Sequence, residues 1–268
     1  MKKNLLKSLC LALLLGGAAT TATAQGIVVN KTDGTKVYYK ASEVLSVGVY
    51  GYGEEPEPDP GTDPDPEGHE WVDLGLPSGT LWATCNVGAE KPEDYGDYFA
   101  WGETSGYKDG KTNFSWSTYS HCNGSNTTMT KYCTSSSYGT VDNKTELEPM
   151  DDAATANWGS GWQMPSLAQC QELINSSYTT TTWTTQNGVN GRKITSKSNG
   201  NSIFLPAAGC RLVASLRTAG SAGYYWSRSL STSSSDGACG LYFDSSSIDA
   251  YGNNRLQGRS VRPVRVQN

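Results

Sequence analysis

The sequence predicts an α+β domain made of small twisted antiparallel sheets, one or two short helices and long irregular loops. Short runs of aromatic and β-branched residues alternate with turns rich in glycine and serine, which is typical of short antiparallel strands. Ser166 and Gln169 form a capping box ahead of an apolar helical face, and this predicts one helix. Residues 106–143 are rich in Ser, Thr, Asn and Gly without any hydrophobic period, so we expect loops there.

The first 24 residues have the pattern of a secretory signal peptide. Three lysines precede an apolar segment that includes residues 11–15, and the small residues before Gln25 predict cleavage at that point. Cys10 lacks a small residue of the lipobox type before it, so cleavage is favoured over lipid attachment. The apolar run is too short for a permanent span, and no later segment is apolar enough. We therefore expect a secreted or cell-surface protein that does not span a membrane.

A small β segment is expected directly after the signal, in residues 25–51. Ile27–Val29 and Val37–Tyr39 are β-rich runs on either side of Asp33-Gly34, and this arrangement predicts a hairpin. Leu45–Val49 could add a third strand.

A linker is expected at residues 52–69, ahead of a main domain at residues 70–268. Proline alternates with acidic residues there, and seven acids lie between Glu54 and Glu67, so the chain is expected to be extended by its own repulsion. Removal of residues 1–24 takes away three lysines and no acid, which changes the formal net charge from −5 to −8. Because the linker holds most of that excess, the main domain is nearly neutral, which argues against a nucleic-acid partner.

Turn signals and apolar runs predict the elements of the main domain. The Asp151-Asp152 pair is either a metal site or a hydrogen-bonded loop anchor, and the anchor is favoured. Trp82, Phe99 and Trp101 are expected in the core. The expected strands are Trp71–Leu74, Thr80–Thr84, Thr179–Thr184 and Arg192–Thr195, with turns at residues 76–79 and 187–188, and the expected helices begin at Pro92 and after Ser166.

Cysteines remain even in number after cleavage of the signal. An even count in an exported chain indicates disulfides, and Cys122–Cys133 is the preferred pair because a short loop separates the two. Cys210 and Cys239 could instead remain unpaired. The six are Cys85, Cys122, Cys133, Cys170, Cys210 and Cys239.

Three blocks of motifs span most of the main domain. Glu70–Thr104 contains EWVDLGLPSGTLWATCNVG, Asn157–Ile174 reads NWGSGWQMPSLAQCQELI, and the block from Phe204 contains FLPAAGCR, GYYWSRS, LYF and GRSVRPVR. In this order they resemble the Fibrobacter-type major paralogous domain of Bacteroidetes surface proteins, over about residues 70–265. The resemblance implies a fold related to C-type lectins and formylglycine-generating enzymes. It also implies that the C-terminal segment could be diversified by a retroelement that rewrites asparagine codons.

The composition of Cys210–Leu256 fits such rewriting. An asparagine codon with both adenines randomised cannot encode Lys, Glu, Gln, Met or Trp. The 47 residues contain no Lys, Glu, Gln or Met, whereas the rate in Glu70–Gly209 predicts about seven. The single tryptophan, Trp226, belongs to the family motif. A serine-rich loop of low complexity would leave the same gap, so that alternative stays open.

The same block is expected to carry a binding surface, because its strands form a frame and its remaining side chains are not needed for a core. Tyrosines offer contact area at low entropic cost, and arginines offer planar donors for carboxylates or aromatic rings. Arg259, Arg262 and Arg265 are interpreted as structural. The candidate ligand-binding residues are Arg211, Leu212, Arg217, Arg228, Asp236, Cys239, Tyr242, Asp244, Ile248, Asp249, Tyr251, Asn253 and Arg255.

Catalysis is not expected. The two histidines, His69 in the linker and His121 in a polar loop, have no partner residue in the sequence that would make a catalytic triad. No Cys/His cluster for zinc and no phosphate-binding glycine loop is found, and no cofactor or metal is expected. Cys210 and Cys239 could approach each other as in formylglycine-generating enzymes, but fold analogy is a weak argument.

The sequence therefore predicts an exported binding protein whose variable C-terminal face, residues 210–256, recognises a protein or glycan at a cell or phage surface. The alternative is an invariant structural or adhesive subunit of a cell surface or fimbria. A calcium-dependent lectin is a further possibility, since Asp236, Asp244, Asp249 and nearby asparagines could supply oxygens, although their spacing matches no known calcium loop.

Overall fold

The structure is a computed structural model that describes the backbone of residues 27–30 and 36–39 and all of residues 68–265. A first unit, residues 1–59, contains β1 (Ile27–Asn30) and β2 (Lys36–Tyr39), which pair antiparallel. The predicted hairpin is thereby confirmed in its two strands. The predicted signal peptide, the third strand at residues 45–49 and the linker up to residue 67 lie outside the described residues.

The second unit, residues 60–268, is rich in short strands and has two short α-helices in its described part. This confirms a sheet-rich α+β class. Its strands are β3 (Trp71–Asp73), β4 (Leu81–Ala83), β5 (Trp162–Gln163), β6 (Thr179–Gln186), β7 (Val189–Ser196), β8 (Ser202–Pro206), β9 (Cys210–Leu212), β10 (Ser215–Arg217), β11 (Ala222–Leu230), β12 (Gly237–Asp244), β13 (Ile248–Asn254) and β14 (Val264–Arg265). The helices are α1 (Ala153–Trp158) and α2 (Leu167–Leu173), and 3₁₀ turns lie at Trp116–Thr118 and Pro149–Asp151.

Four antiparallel sheets organise the described part of this unit. The strand orders are β3-β4-β14-β5, β6-β7-β8, β11-β12-β13 and the hairpin β10-β9. β14, near the end of the chain, lies between β4 and β5, so the C-terminal motif closes the sheet begun by Glu70–Thr104. The four predicted strands in this unit are confirmed, and the β6–β7 turn has positive φ at both Asn187 and Gly188, as a two-residue hairpin requires.

Residues 258–260 join the β9–β10 hairpin to the β11–β13 sheet. Arg211 and Gly258 exchange backbone hydrogen bonds of 2.7 and 3.0 Å. Two residues on, the Ser260 N–H donates to Tyr224 and the Ser260 carbonyl accepts from Trp226. A continuous hydrogen-bonded layer therefore runs from β10 to β13, and this layer carries the candidate site.

The core is divided into three apolar clusters. One surrounds Trp101 and Trp226, a second surrounds Trp82 and Phe243, and the third lies beneath the long loops. The indole N–H groups of Trp226 and Trp101 donate to backbone carbonyls at 2.9 and 2.8 Å, which satisfies these buried donors. The predicted core positions Trp82, Phe99 and Trp101 are confirmed, with at most 1% exposure.

Both helices begin at side-chain caps. In α2, Ser166 and Gln169 form the predicted capping box, and Cys170 and Leu173 are buried. In α1, the Asp152 carboxylate accepts from the N–H groups of Ala154 and Thr155, and it also accepts from Met164. Asp152 therefore anchors the chain directly after β5 to the start of α1, as favoured from the sequence.

Two sequence expectations are corrected here. The helix expected at Pro92–Tyr95 is a turn, closed by a hydrogen bond from the Asp94 N–H to the Lys91 carbonyl and capped by the Asp94 side chain. Proline at that position starts a turn as readily as a helix. All six cysteines of the described chain are free thiols, so the preferred pair Cys122–Cys133 is not formed. The Sγ atom of Cys122 instead lies 3.2 Å from the Trp116 carbonyl oxygen, and that of Cys133 lies 3.1 Å from the Ser135 carbonyl oxygen.

Candidate functional site

A row of three tyrosines occupies one face of the β11–β13 sheet. Tyr224 lies opposite Tyr242 across β11 and β12, with ring centroids 5.1 Å apart, and Tyr242 lies 5.8 Å from Tyr251 on β13. The opposite face of the same strands packs into the second core cluster through Tyr225 and Phe243. Because side chains alternate along a strand, burial of one face fixes the register and presents the tyrosine row on the other.

The tyrosine row is polar at its rim and accessible. Tyr224 and Tyr242 are half-buried, and Tyr251 is 37% exposed. The Tyr242 hydroxyl donates to Asp244 at 2.9 Å, and this bond, with burial second, raises its pKa to about 12. Burial likewise raises the pKa of Tyr251. The hydroxyls of both therefore stay protonated at neutral pH and can donate or accept hydrogen bonds.

A buried arginine supports the row. Arg259 is 1% exposed, and its guanidinium carbon lies 4.2 Å from the centroid of the Trp226 ring and 5.3 Å from that of Tyr224. Its Nε and one terminal nitrogen donate to Gln257 Oε1 at 3.2 and 2.9 Å. Burial lowers its pKa to about 10, so the group remains cationic at neutral pH. Because the guanidinium lies over both rings, it stabilises the position of Tyr224 in the tyrosine row.

The β9–β10 hairpin lies beside this face. Burial raises the pKa of the Cys210 thiol, and the charges of Arg259 and Arg217 act against that rise. Arg217 pairs with Cys210 across the hairpin, and Arg211 pairs with Leu216. All residues from Val213 to Thr218 are exposed.

Six of the thirteen predicted ligand-binding residues lie on this open side. Tyr242, Asp249, Tyr251 and Asn253 share the face of the tyrosine row, because Asp249 pairs with Tyr242 and Asn253 with Ala238. The other two, Arg211 and Arg217, belong to the hairpin. Leu212 is half-buried and packs against the third core cluster, so the expectation that it contacts a ligand is wrong.

Arg255 is a correction. It is fully buried, and its guanidinium donates to the carbonyls of Tyr132, Ser235 and Lys131 at 2.8, 2.9 and 2.6 Å. It also lies over the Trp101 ring at 5.5 Å. The side chain holds the long loops to the core, so the expectation that it contacts a ligand is wrong.

Cys239 and Ile248 also point away from a ligand. Cys239 is 6% exposed, and burial raises the pKa of its thiol. Ile248 is half-buried and packs against the second core cluster. Both occupy the face of the sheet opposite the tyrosine row, since Cys239 is one residue from Gly240 and Ile248 pairs with Phe243. The expectation of direct contact is therefore wrong for these two as well.

Three further candidates have structural partners. Arg228 forms an ion pair with Glu146 at 2.7 Å and a hydrogen bond with Gln163. Asp236 accepts from the side-chain amide of Asn126 at 3.1 Å. Asp244 accepts from the Ser246 hydroxyl and from the N–H groups of Ser246 and Ser247, which caps the β12–β13 turn, and these bonds hold its pKa far below the usual range.

Four contributors to the open side were missed from the sequence. Tyr224 was assigned to the frame, although alternation along GYYWS would have placed it opposite the buried Tyr225. Tyr107 comes from a distant loop, for which no sequence signal exists. Val213 and Leu216, 51% and 41% exposed, were not among the predicted ligand-binding residues.

Both histidines of the described residues have contacts within the domain. His121 Nε2 lies 2.7 Å from the Gly102 carbonyl, and burial lowers the pKa of this imidazole. His69, expected in the linker, stacks on Trp158 at 3.7 Å and so packs onto the domain. Within residues that the structure describes, no group of three or more His, Cys, Asp or Glu side chains is placed to hold a metal ion.

Comparison of the chain with protein-family profiles, with curated proteins and with solved structures gives no match. The resemblance to the Fibrobacter-type domain therefore rests on the sequence motifs alone. Among the described helices the longest, α2, has seven residues, and none is long and apolar enough to cross a membrane.

Proposed function

We propose that this chain is an exported or surface-displayed binding protein that recognises a protein or glycan ligand through the tyrosine row and the adjoining β9–β10 hairpin. One observation carries the proposal: Tyr242 contacts both Tyr224 and Tyr251 on an accessible sheet face, and the opposite face of that sheet packs against the core. Tyrosine supplies rigid amphipathic contact area with little loss of side-chain entropy. A rigid frame below adaptable side chains is the arrangement expected of a recognition surface.

The proposal includes a C-type-lectin type of fold and diversification of residues 210–256. The motif order supports the fold, together with the sheet-rich α+β class, the few short helices and the long loops. The absence of Lys, Glu, Gln and Met from this segment supports diversification. Complete burial of Trp226, the one residue type there that rewriting cannot produce, agrees with its place in the frame.

A binding array with a matched control tests the proposed face. The mature chain and a Tyr242→Ala/Tyr251→Ala variant are applied to protein and glycan arrays. We expect the variant to lose at least tenfold in affinity for every ligand found, since central aromatic residues dominate binding energy. Tyr178→Ala removes a tyrosine of similar exposure, 38%, elsewhere on the domain and should bind normally. Equal binding by the double variant and the parent would place the binding surface elsewhere.

Genomic sequence separates diversification from an invariant adhesive subunit. Diversification requires a near-identical copy of the coding segment for residues 210–256 beside a reverse transcriptase gene. Asparagine codons in that copy should align with exposed positions such as Arg217 and Tyr251. A copy whose asparagine codons align with buried positions such as Arg255, or a locus without any copy, would favour the invariant subunit.

A further inference from the structure

The guanidinium of Arg211 lies against two tyrosine rings. Its central carbon is 3.2 Å from the centroid of the Tyr107 ring and 5.1 Å from that of Tyr98. A guanidinium that stacks on a ring still presents its N–H groups around its edge, where a carboxylate can bind two of them at once. Arg211 is therefore oriented for a planar acceptor.

Nothing in the described chain supplies that acceptor. No described carboxylate lies within salt-bridge distance of Arg211, and no described oxygen accepts a hydrogen bond from its guanidinium. Its Nε is buried without a partner. The two terminal nitrogens are not buried, since the side chain as a whole is only half-buried, and they are therefore available to an acceptor from outside the described chain.

The tyrosines around Arg211 are held rigidly. The Tyr98 hydroxyl donates to the Ala208 carbonyl at 2.7 Å, and the Tyr107 N–H donates to the Tyr98 carbonyl at 3.0 Å. The buried Asp97 carboxylate accepts from the N–H groups of Tyr98 and Lys108 at 2.7 and 2.9 Å. These bonds preorganise the site, which lowers the entropic cost of binding.

Positive charge on this side of the domain is not neutralised. Arg217 and Arg259 have no described carboxylate within salt-bridge distance, in common with Arg211. Lys111, in the loop that contains Tyr107, is paired with Glu103, and the other ion pairs of the described chain involve Lys131, Lys144 and Arg228. The acids of the Tyr107 loop are occupied, since Asp97 and Asp109 accept backbone N–H groups. The hairpin thus complements an anionic partner.

Apolar surface surrounds the free guanidinium edge. Leu216 pairs with Arg211 across the hairpin, so both side chains lie on one face, and Leu216 is 41% exposed. Tyr107 and Val213 are 36% and 51% exposed. Apolar side chains next to an unpaired arginine complement a protein segment that combines a carboxylate with apolar residues, whereas a glycan would meet the apolar side chains with hydroxyl groups.

We propose that Tyr98, Tyr107, Arg211 and Leu216 form a subsite that binds the carboxylate of an aspartate or glutamate within an apolar segment of a protein ligand. The inference rests on the proposed function, since it names the class of ligand that the surface takes. It adds a contact point separate from the tyrosine row.

Arginine side-chain NMR on the mature chain tests this subsite directly. The Nε–H resonance of Arg211 is assigned by its loss in Arg211→Lys. The probe is the capped peptide acetyl-Leu-Asp-Leu-amide, with acetyl-Leu-Asn-Leu-amide as the neutral control and glucuronate as the acidic-sugar arm. We expect a saturable shift of the Arg211 resonance with the aspartate peptide, and at least tenfold weaker binding of the other two probes.

Variants of Arg211 and of a cation outside the surface complete the experiment. Arg211→Lys keeps the charge but loses the planar fork, and should weaken peptide binding at least tenfold. Lys193→Ala, which removes an exposed cation on β7, should leave peptide binding unchanged. Absence of a saturable shift in the parent chain, or equal binding of glucuronate, would overturn the subsite as assigned. Because the titration uses parent protein and defined probes, it can succeed even where the array experiment on the tyrosine row fails, and the reverse also holds.

Discussion

Replacement of Arg255 by alanine should destabilise the fold rather than affect binding directly. The guanidinium is fully buried and makes three short hydrogen bonds, to the carbonyls of Lys131, Tyr132 and Ser235, and a longer one of 3.4 Å to that of His121. All of these except Ser235 belong to the loop region that precedes α1. Its Nε has no partner, and no described carboxylate neutralises it. Arg255 therefore acts as a charged connector between β13 and the long loops, which otherwise have few strands to hold them.

The expected loss follows from the contacts that disappear. Each buried carbonyl left without a donor costs about 1–3 kcal/mol. The three carbonyls at short distance therefore set a lower bound of about 3 kcal/mol on the loss from unpaired acceptors. Loss of packing against Trp101 and Tyr119 adds to this, while removal of a buried charge and entry of water offset part of it. We expect the free energy of unfolding to fall by about 3–5 kcal/mol, a large share of the total for a domain of this size.

Urea unfolding followed by tryptophan fluorescence measures this difference. Arg255→Lys should be intermediate, because an ammonium retains a charge and some donors but cannot reach all three carbonyls. Arg217→Ala is the matched control and should change the free energy by less than about 0.5 kcal/mol, as expected for an exposed side chain. An Arg255→Ala protein within about 1 kcal/mol of the parent would refute the assignment of a structural role.

Three further changes test the frame. Burial acts to raise the pKa of Asp142, but hydrogen bonds from three backbone N–H groups outweigh it and lower the pKa overall. This carboxylate therefore stabilises the fold at pH values above its unfolded pKa, and the stabilisation is lost as the pH falls through the folded pKa. Asp142→Asn should therefore show a smaller loss of stability than the parent between neutral and acidic pH in thermal melts. Gly240→Ala would place a Cβ 2.0 Å from the Tyr225 carbonyl oxygen, and we expect a loss of about 3 kcal/mol in urea unfolding; an unchanged midpoint would contradict the close strand approach. Val213 has a φ of +54°, and this backbone conformation is costly for a β-branched residue. Val213→Asn should therefore raise the free energy of unfolding by about 0.5–1 kcal/mol. A lower melting temperature of this variant would argue against the backbone conformation.

Local signals explain what the sequence predicted well. The capping box at Ser166, the Asn187-Gly188 turn and the β-rich runs at both ends of the main domain act over a few residues. Such signals depend on backbone conformation near the residues concerned, and tertiary contacts did not overturn them. The turn at Pro92 shows the limit of such local signals. A proline followed by acidic residues is equally compatible with a turn and with the start of a helix.

Burial of polar residues could not be predicted in the same way. Arg255 follows a strand and is flanked by asparagine and leucine, so its surroundings in sequence resemble those of the exposed Arg217. Its depth is set by carbonyls more than 100 residues earlier in the chain, at Lys131 and Tyr132. Cys239 presents the same difficulty, because the register between β12 and β13 decides which face it occupies. Long-range pairing of this kind leaves no local pattern.

If the proposed diversification holds, the fold limits which of positions 210–256 can vary in sequence between variants. Cys239 and Arg255 are fixed by the interior, and Asp244 is fixed by its turn. Free positions remain in the hairpin, from Val213 to Thr218, and at every second residue of β13. Rewritten positions should therefore show a continuous block followed by a period of two, which a low-complexity loop would not produce.

Position 213 gives this pattern a conformational test. Its backbone lies in the left-handed region, which asparagine and glycine adopt more readily than valine does. An asparagine codon with both adenines randomised can encode asparagine, glycine or valine. The template residue would therefore be better suited to the hairpin turn than the residue now present. The hairpin would then tolerate a strained residue at its tip because backbone pairing holds the chain at that residue, Val213 with Phe114, and two residues earlier, Arg211 with Gly258.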